Sequence, residues 1–322
     1  MKTTLITGVT GQDGPYLSKY LLGRDCVVYG GIRDSACPNL KNLRTLGIEK
    51  DVRLVPMNLL DLSHTIRVLE RLRPDQVYNL AAQSSVSLSF EQPFGTFQFN
   101  ILSALNLLEA IRILRLKTKF YQASSSEMYG RTAELPVREQ TRVHPVSPYG
   151  ISKASAHWTT VHYREAYGLF CCCGILFNHE SFLRGEHFVT KKIVSTAARI
   201  SRGSKEKLRL GNIEIRRDWG YAPEYAKTMP LILEQEEADD YVIASGEVHS
   251  LRDFIECAFA SLGLHWREHV LIDKNLYRPA EINVIYGDPA KARTRLRWKY
   301  DMTFPQLVRL LVQEEISNMA DK

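Results

Sequence analysis

Tyr149 and Lys153 stand one helical turn apart in SPYGISKASAHW. A phenol and an amine at that spacing share one face of a helix. A nearby ammonium lowers a phenol's pKa, which would make Tyr149 an acid or base usable near neutral pH. The spacing alone equally describes a solvated helix face, so its context has to carry the reading. Upstream lies Ala123-Ser124-Ser125-Ser126-Glu127-Met128-Tyr129-Gly130. A serine hydroxyl here can hydrogen-bond the oxygen that Tyr149 deprotonates, and Ser125 is the candidate. Glu127 is the informative neighbour. Simple ketone reduction has no use for a second acid, whereas removing a proton beside a carbonyl and expelling water does. On spacing alone, a solvated or capping acid is an equal reading of Glu127.

A second constellation lies near the amino terminus. Gly8, Gly11 and Gly14 form GVTGQDG between an apolar run and a helical pattern. Glycines there let the backbone approach a pyrophosphate, and the helix amino terminus adds a favourable dipole. A dinucleotide in that loop would give Lys153 a nicotinamide ribose to hold. At the end of the second strand, Arg33-Asp34-Ser35 sends two messages. Arg33 suits the 2′-phosphate of NADP, and Asp34 suits NAD. Asp61-Leu62 is a candidate contact to the adenine edge, although an acid there also serves as a helix N-cap.

These residues need a scaffold, and the first half of the chain supplies its pattern. Strands are expected at residues 3–7, 26–29, 52–57, 76–81 and 119–125. Helical periodicity begins at Pro15 and recurs in HTIRVLERLR and over residues 99–114. Alternating strands and helices predict an α/β fold, a Rossmann-type doubly wound parallel sheet with ligands outside the strand carboxyl ends. After about residue 175 the pattern loosens into Arg-, Gly- and Glu-rich segments. The expected division is a dinucleotide-binding domain over 1–175 and a smaller α/β substrate domain over 176–322, with some later pieces returning to the main sheet.

Composition narrows the class. The chain has 322 residues, 44% hydrophobic and 24% charged, as in ordinary globular proteins. No run of eighteen apolar residues suggests a membrane span, and MKTTLITGVTG reads as a strand entering a turn, not as a signal peptide. Net charge is +6, but Lys and Arg are dispersed, with no basic stripe for nucleic acid. An anionic nucleotide diphosphate accounts for the surplus as well. Cys171, Cys172 and Cys173 are consecutive, which favours neither disulfides nor metal. They read as small hydrophobes in a buried strand, and reduced cytosol is the expected compartment.

Taken together, TGVTGQDGPYL, YNLAAQSSV, FYQASSSEMYG, SPYGISKASAHW, YREAYGL, GILFNHES, RGEHFVTKKI, LRLGN, RRDWG and YRPAE resemble the extended short-chain dehydrogenases, specifically the GDP-mannose 4,6-dehydratase family. The resemblance covers almost the whole chain. It implies bound NADP, a GDP-sugar substrate and a homodimer or homotetramer. It also implies a redox-neutral reaction in which Tyr149 takes the 4-hydroxyl proton and Glu127 takes the C5 proton and assists loss of the C6 hydroxyl. Gln12, Asp13, Leu80, Ala81, Ala82, Gln83, Ser84, His179 and Arg184 match cofactor positions. Ser84, Asn178, Glu180, Lys192, Asn212, Arg217, Arg278 and Glu281 match positions around the GDP-sugar, with Ser125 and Glu127. Ser125 stands where the family usually has threonine, and Phe182 where it has proline. The same chemistry on a GDP-manno-heptose is therefore an alternative, as is a GDP-sugar reductase or epimerase on this fold. A non-catalytic dinucleotide sensor is the reading from outside enzymes.

Overall fold

Side chains alternate across the strands of the sheet, and the sequence obeys that alternation strand by strand. Leu5, Val77, Phe120 and Cys171 join one buried cluster with Leu107 and Ile111. Their immediate successors Ile6, Tyr78, Tyr121 and Cys172 join another with Leu17, Met229 and Ile232. A sheet covered on both faces needs apolar residues at consecutive positions, which explains runs such as TTLIT and CCCGIL. Each fully buried Leu, Ile or Phe contributes roughly 1.5–3 kcal/mol relative to exposure.

The computed structural model describes residues 1–33 and 36–320. Its first part runs β1 (Thr3–Thr7), α1 (Asp13–Leu22), β2 (Val27–Ile32), α2 (Lys41–Thr45), β3 (Arg53–Pro56), α3 (Leu62–Leu72) and β4 (Gln76–Asn79). It continues with α4 (Val86–Glu91), α5 (Pro93–Ile113), β5 (Lys119–Ser125), α6 (Pro148–Tyr167) and β6 (Cys171–Leu176). The seven-stranded sheet has the order Tyr241–Ile243, β6, β5, β4, β1, β2, β3, and every pairing within it is parallel. The order reverses between β1 and β4, which opens a crevice at their carboxyl ends. Ser147 caps α6 by accepting from Gly150 N at 3.0 Å, with Pro148 in the first turn. That cap fixes where Tyr149 and Lys153 emerge.

Beyond β6 come β7 (Asn178–Glu180), paired with Trp219–Tyr221, and helices Val189–Ser201, Ala222–Leu233, Leu251–Ala260 and Phe304–Ala320. A separate core gathers Ile193, Phe254, Phe259, Leu307 and Val308 under Trp219. Strands Arg216–Arg217, His249–Ser250 and Val284–Ile285 form a small mixed sheet. The helix Ala222–Leu233 and the strand Tyr241–Ile243 pack with the main sheet. Where the sequence suggested irregular pieces after residue 175, the chain forms strands of only two or three residues. Such strands are too short to leave an alternating pattern.

All six cysteines are free, and Cys171, Cys172 and Cys173 are buried. Among the described residues no helix is long and apolar enough to cross a membrane.

Candidate active site

The glycine loop closes the end of β1. Gly8 has φ +69°, and a Cβ placed there would lie 2.8 Å from Ala81 N and 2.9 Å from Ala81 Cα. Only glycine fits, because the chain leaving β4 passes directly against it. Thr7 Oγ1 accepts from Ala81 N at 3.2 Å and donates to Asn79 Oδ1 at 2.7 Å. Asn79 Nδ2 in turn donates to Gln122 Oε1 at 2.8 Å. This buried polar chain locks the carboxyl ends of β1, β4 and β5 in register. Asn42 Nδ2 donates to Gly11 O at 2.8 Å, bracing the loop from α2.

The loop is also held from the far side. Gln12 Nε2 donates to His179 O at 3.0 Å, and Ser181 Oγ donates to Gln12 Oε1 at 3.2 Å. His179 Nε2 lies 2.9 Å from Asp13 Oδ2. Burial alone would raise Asp13, but attraction and hydrogen bonding from His179, with Arg184 behind, hold it below its ordinary value. His179 is raised although burial opposes it, because Asp13 faces it. Arg184 lies 3.3 Å from Glu180 Oε2, an oxygen that also accepts from Thr190 Oγ1 at 2.6 Å. Glu180 is thereby buried as an internal acceptor.

At the end of β5, Ser125 Oγ accepts from Glu127 N at 3.3 Å. The Ser125 hydroxyl also bears on the Tyr149 phenol, favouring its ionised form. Gly150 allows this approach, since a Cβ there would meet Glu127 O at 2.6 Å. Lys153 Nζ donates to Ala123 O at 2.8 Å and sits 5.9 Å from the Tyr149 ring centre. Ser125, Glu127, Tyr149 and Lys153 thus share one corner beside the crevice. One expectation needs correction. The phenol is not lowered in the chain by itself: burial pushes Tyr149 up to about 12, outweighing the influence of Ser125. Burial also lowers Lys153 to about 8.

A third group lines up from the later part of the chain. Arg217, only 4% exposed, donates to Ile282 O at 2.6 Å and to Glu281 Oε1 at 3.0 Å. Arg278 Nη1 reaches the same Glu281 oxygen at 3.4 Å. Burial lowers Arg217, and the charges of Glu127 and Glu281 together with the Glu281 hydrogen bond oppose this. The arginine pair is therefore electrostatically tied to the corner at β5, and Glu281 is the one carboxylate the two guanidiniums contact directly. Lys192 Nζ donates to Arg209 O at 2.8 Å, and Asn212 Oδ1 accepts from Glu214 N at 2.9 Å. Lys191 Nζ lies 4.4 Å from the Phe182 ring centre.

Other predicted positions fall along the crevice with their own partners. Asp61 caps α3, Oδ1 accepting from His64 N at 3.0 Å and Ser63 Oγ at 2.7 Å, with Leu62 opening the helix. Leu80, Ala81, Ala82 and Gln83 follow β4 half-buried, and Ser84 is exposed. Asn178 opens β7, and Arg33 is exposed just after β2. Asp34 and Ser35 lie outside the described residues. Sequence reasoning missed Asn42, Asn79 and Gln122, whose roles come from contacts between distant segments. Gly150 did carry a signal, a glycine inside the first turn of an otherwise strong helix.

A dinucleotide fits these residues on two observations. The Gly8 cradle is one that any side chain would fill. In addition, Gln83 Oε1 is buried with no hydrogen-bond partner, next to the position expected for the nicotinamide half.

A parallel sheet with its switch point at β1 and β4, a glycine cradle there and a Ser-Tyr-Lys corner define a nicotinamide-dinucleotide enzyme of the extended short-chain dehydrogenase class. A family model described as GDP-mannose 4,6 dehydratase matches residues 5–311, and the chain belongs to that family. GDP-mannose 4,6 dehydratase 2 of Arabidopsis thaliana is 46% identical over 325 residues, covering 98% of this chain and 87% of the plant protein. Among solved structures, UDP-glucose 4-epimerase of Thermus thermophilus in complex with NAD is similar, with TM-score 0.85 and 26% identity, covering 97% of this chain and 98% of that one. RMD from Pseudomonas aeruginosa complexed with NADPH has TM-score 0.80 and 25% identity, covering 99% and 100%.

Proposed function

We propose that this enzyme converts GDP-mannose to GDP-4-keto-6-deoxymannose by internal redox and loss of water, at the corner formed by Ser125, Glu127, Tyr149 and Lys153. The observation that carries this reading is the placement of Glu127. Its backbone is bonded to Ser125, its carbonyl packs on Gly150 next to Tyr149, and its charge acts on Arg217. A carboxylate so placed has no task in simple hydride exchange at a carbonyl.

When bound, a nicotinamide dinucleotide supplies the group that accepts the C4 hydrogen with its electron pair and returns it to C6. Tyr149 takes the 4-hydroxyl proton while Ser125 holds that oxygen. Because the buried phenol rests protonated, it needs a cation to favour the phenolate, and Lys153 is the one at hand. The new 4-ketone makes the C5 hydrogen acidic. Glu127 removes that proton and delivers it to the departing C6 hydroxyl, which leaves as water. The proton taken from the 4-hydroxyl balances the one that C5 regains. A substrate diphosphate would neutralise Arg217 and Arg278, whose forks suit phosphate oxygens. Lys192, Asn212, Asn178, Glu180 and Glu281 complete the sugar-nucleotide side, directly or by holding the arginines.

We assign NADP as the dinucleotide because Arg33 stands exposed after β2, where a 2′-phosphate would meet it. Residues 1–175 would then bind mainly the dinucleotide and 176–322 mainly the GDP-sugar. A homodimer or homotetramer would cover the exposed Phe94 of α5 and Ile151, Trp158 and Tyr167 of α6. The free thiols suit a reducing compartment, the cytoplasm.

The test is incubation of the purified enzyme with GDP-mannose and no added reductant, read by mass spectrometry. Loss of one water with no net change in nicotinamide absorbance is expected. Stoichiometric oxidation of added NADPH would make the enzyme a reductase. An inert GDP-mannose beside a dehydrated GDP-manno-heptose would move the reading to the larger sugar.

A further inference from the structure

Two buried side chains and one part-buried one that the reaction does not use converge behind the corner. They are His157 of α6, Cys173 of β6, and Asp240 just before the strand Tyr241–Ile243. Their ligand atoms all lie within 4.8 Å of one another, the one such group found among the described residues. An imidazole nitrogen, a sulfur and a carboxylate oxygen are donors that zinc and cadmium accept. Zinc bonds of about 2.0–2.3 Å in a tetrahedron set donor–donor edges of about 3.3–3.8 Å, so binding draws the widest-spaced donors together by about 1 Å.

The surroundings leave each donor something to give. Asp240 Oδ1 accepts from Cys173 N and Arg164 Nη1, both at 2.9 Å, and Oδ2 accepts from Arg164 Nη2 at 2.8 Å. A carboxylate offers about four lone-pair sites, so Oδ2 retains one. Arg164 already neutralises Asp240, so ionising Cys173 would leave one positive charge at a site holding a dication. Ser124 Oγ lies 3.1 Å from His157 Nδ1, and Cys173 Sγ lies 4.0 Å from His157 O. Such a hydroxyl orients ligands from behind. His157 and Asp240 further line a cavity of about 470 Å³ together with Glu139, Trp158 and Lys291. That cavity is an entry path and a source of water for a fourth position.

We propose that His157, Cys173 and Asp240 form a binding site for one zinc-class cation, completed by a water from the cavity. Binding forms a metal–sulfur bond and releases the Cys173 thiol proton to solvent. The site bridges β6, α6 and the segment before Tyr241. His157 sits one helical turn after Lys153, so the occupied site restrains the helix that carries Tyr149.

The test is titration of the chelator-treated, tag-free full chain with Cd²⁺, following the thiolate-to-cadmium absorbance band. A single saturable equivalent is expected. Cys173→Ser should remove the band, His157→Gln should weaken binding at least tenfold, and Cys37→Ser, which removes the exposed thiol, should change nothing. Absence of a band in the wild type, or its persistence in folded Cys173→Ser, overturns the proposal. If Cys173→Ser does not fold, His157→Gln decides, and unchanged affinity there overturns it equally.

Discussion

His179 is held between two acceptors: its Nδ1 is 2.7 Å from Phe177 O and its Nε2 is 2.9 Å from Asp13 Oδ2. A carbonyl and a carboxylate can only accept, so both ring nitrogens carry hydrogen and the ring is an imidazolium. The ion pair joins the glycine loop to β7, with the ring stacked on Tyr225 at 5.0 Å. His179 is raised in the fold, so its stabilisation is full below its ordinary value of 6.5 and fades as pH rises through the raised value. Asp13 is depressed, so its share is present above 3.8 and fades as pH falls through the depressed value. His179→Gln should therefore cost about 3 kcal/mol at pH 6, and the deficit should shrink on the alkaline side. Denaturant unfolding from pH 5 to 9 checks this, and a deficit that grew with pH would contradict the pair.

Glu127→Gln keeps the size of the side chain but removes the base. We expect the C4 oxidation to survive, seen as reduced-nicotinamide absorbance on adding GDP-mannose. Net dehydration should fall by a factor of about 10²–10⁴. Dehydration at the wild-type rate would remove Glu127 from the reaction.

Lys153 is lowered by burial to about 8. Its ammonium is therefore present below that pH and lost above it. Dinucleotide affinity, measured by fluorescence quenching, should weaken as pH rises through about 8 in the wild type. In Lys153→Met it should be weaker throughout and flat across the same range. A wild type with no inflection there would show that the ammonium does not hold the ribose.

Gly8→Ala tests the cradle. The left-handed backbone costs an L-residue roughly 1–2 kcal/mol, and the collision with Ala81 adds to it. A loss of about 2 kcal/mol or more in unfolding free energy is expected, with dinucleotide affinity falling alongside. Unchanged stability would mean that the strand leaving β4 yields easily.

How much of this was legible from the sequence depended on the range of the interactions. The β5 strand, expected at 119–125, is found at Lys119–Ser125, because a strand covered on both faces is apolar along its length. Helix α1 starts at Asp13, ahead of the expected Pro15, since the turn through Gln12 already has helical dihedrals and periodicity cannot see a cap. The short helical spacing of Tyr149 and Lys153 was visible, and so was the proximity of Ser125 to Glu127. The height of the Tyr149 pKa was not, because burial depends on segments far away in the chain. For the same reason His157, Cys173 and Asp240 gave no motif. Asp240 comes next to Cys173 only when the late strand Tyr241–Ile243 pairs with β6.

Arg217 and Arg278 share Glu281 but should fail in different ways. Arg217 is 4% exposed and donates to Ile282 O, Arg216 O and Glu281. Truncating it to Ala leaves the Ile282 carbonyl without its donor and Glu281 with only the longer contacts of Arg278 and Ile282 N, at a cost of roughly 3 kcal/mol. Lost folding and lost activity would then be inseparable. Arg278 is only half-buried and makes a single long contact. Its removal should leave unfolding free energy within about 0.5 kcal/mol of wild type. Losing a charge-assisted contact to a diphosphate, worth about 1.5–3 kcal/mol, should raise KM for GDP-mannose by roughly 10- to 100-fold with kcat little changed. Steady-state kinetics beside a denaturant curve on Arg278→Ala separates the two effects. A stable variant with unaltered KM would take Arg278 out of the diphosphate site and leave Arg217 to hold the charge alone.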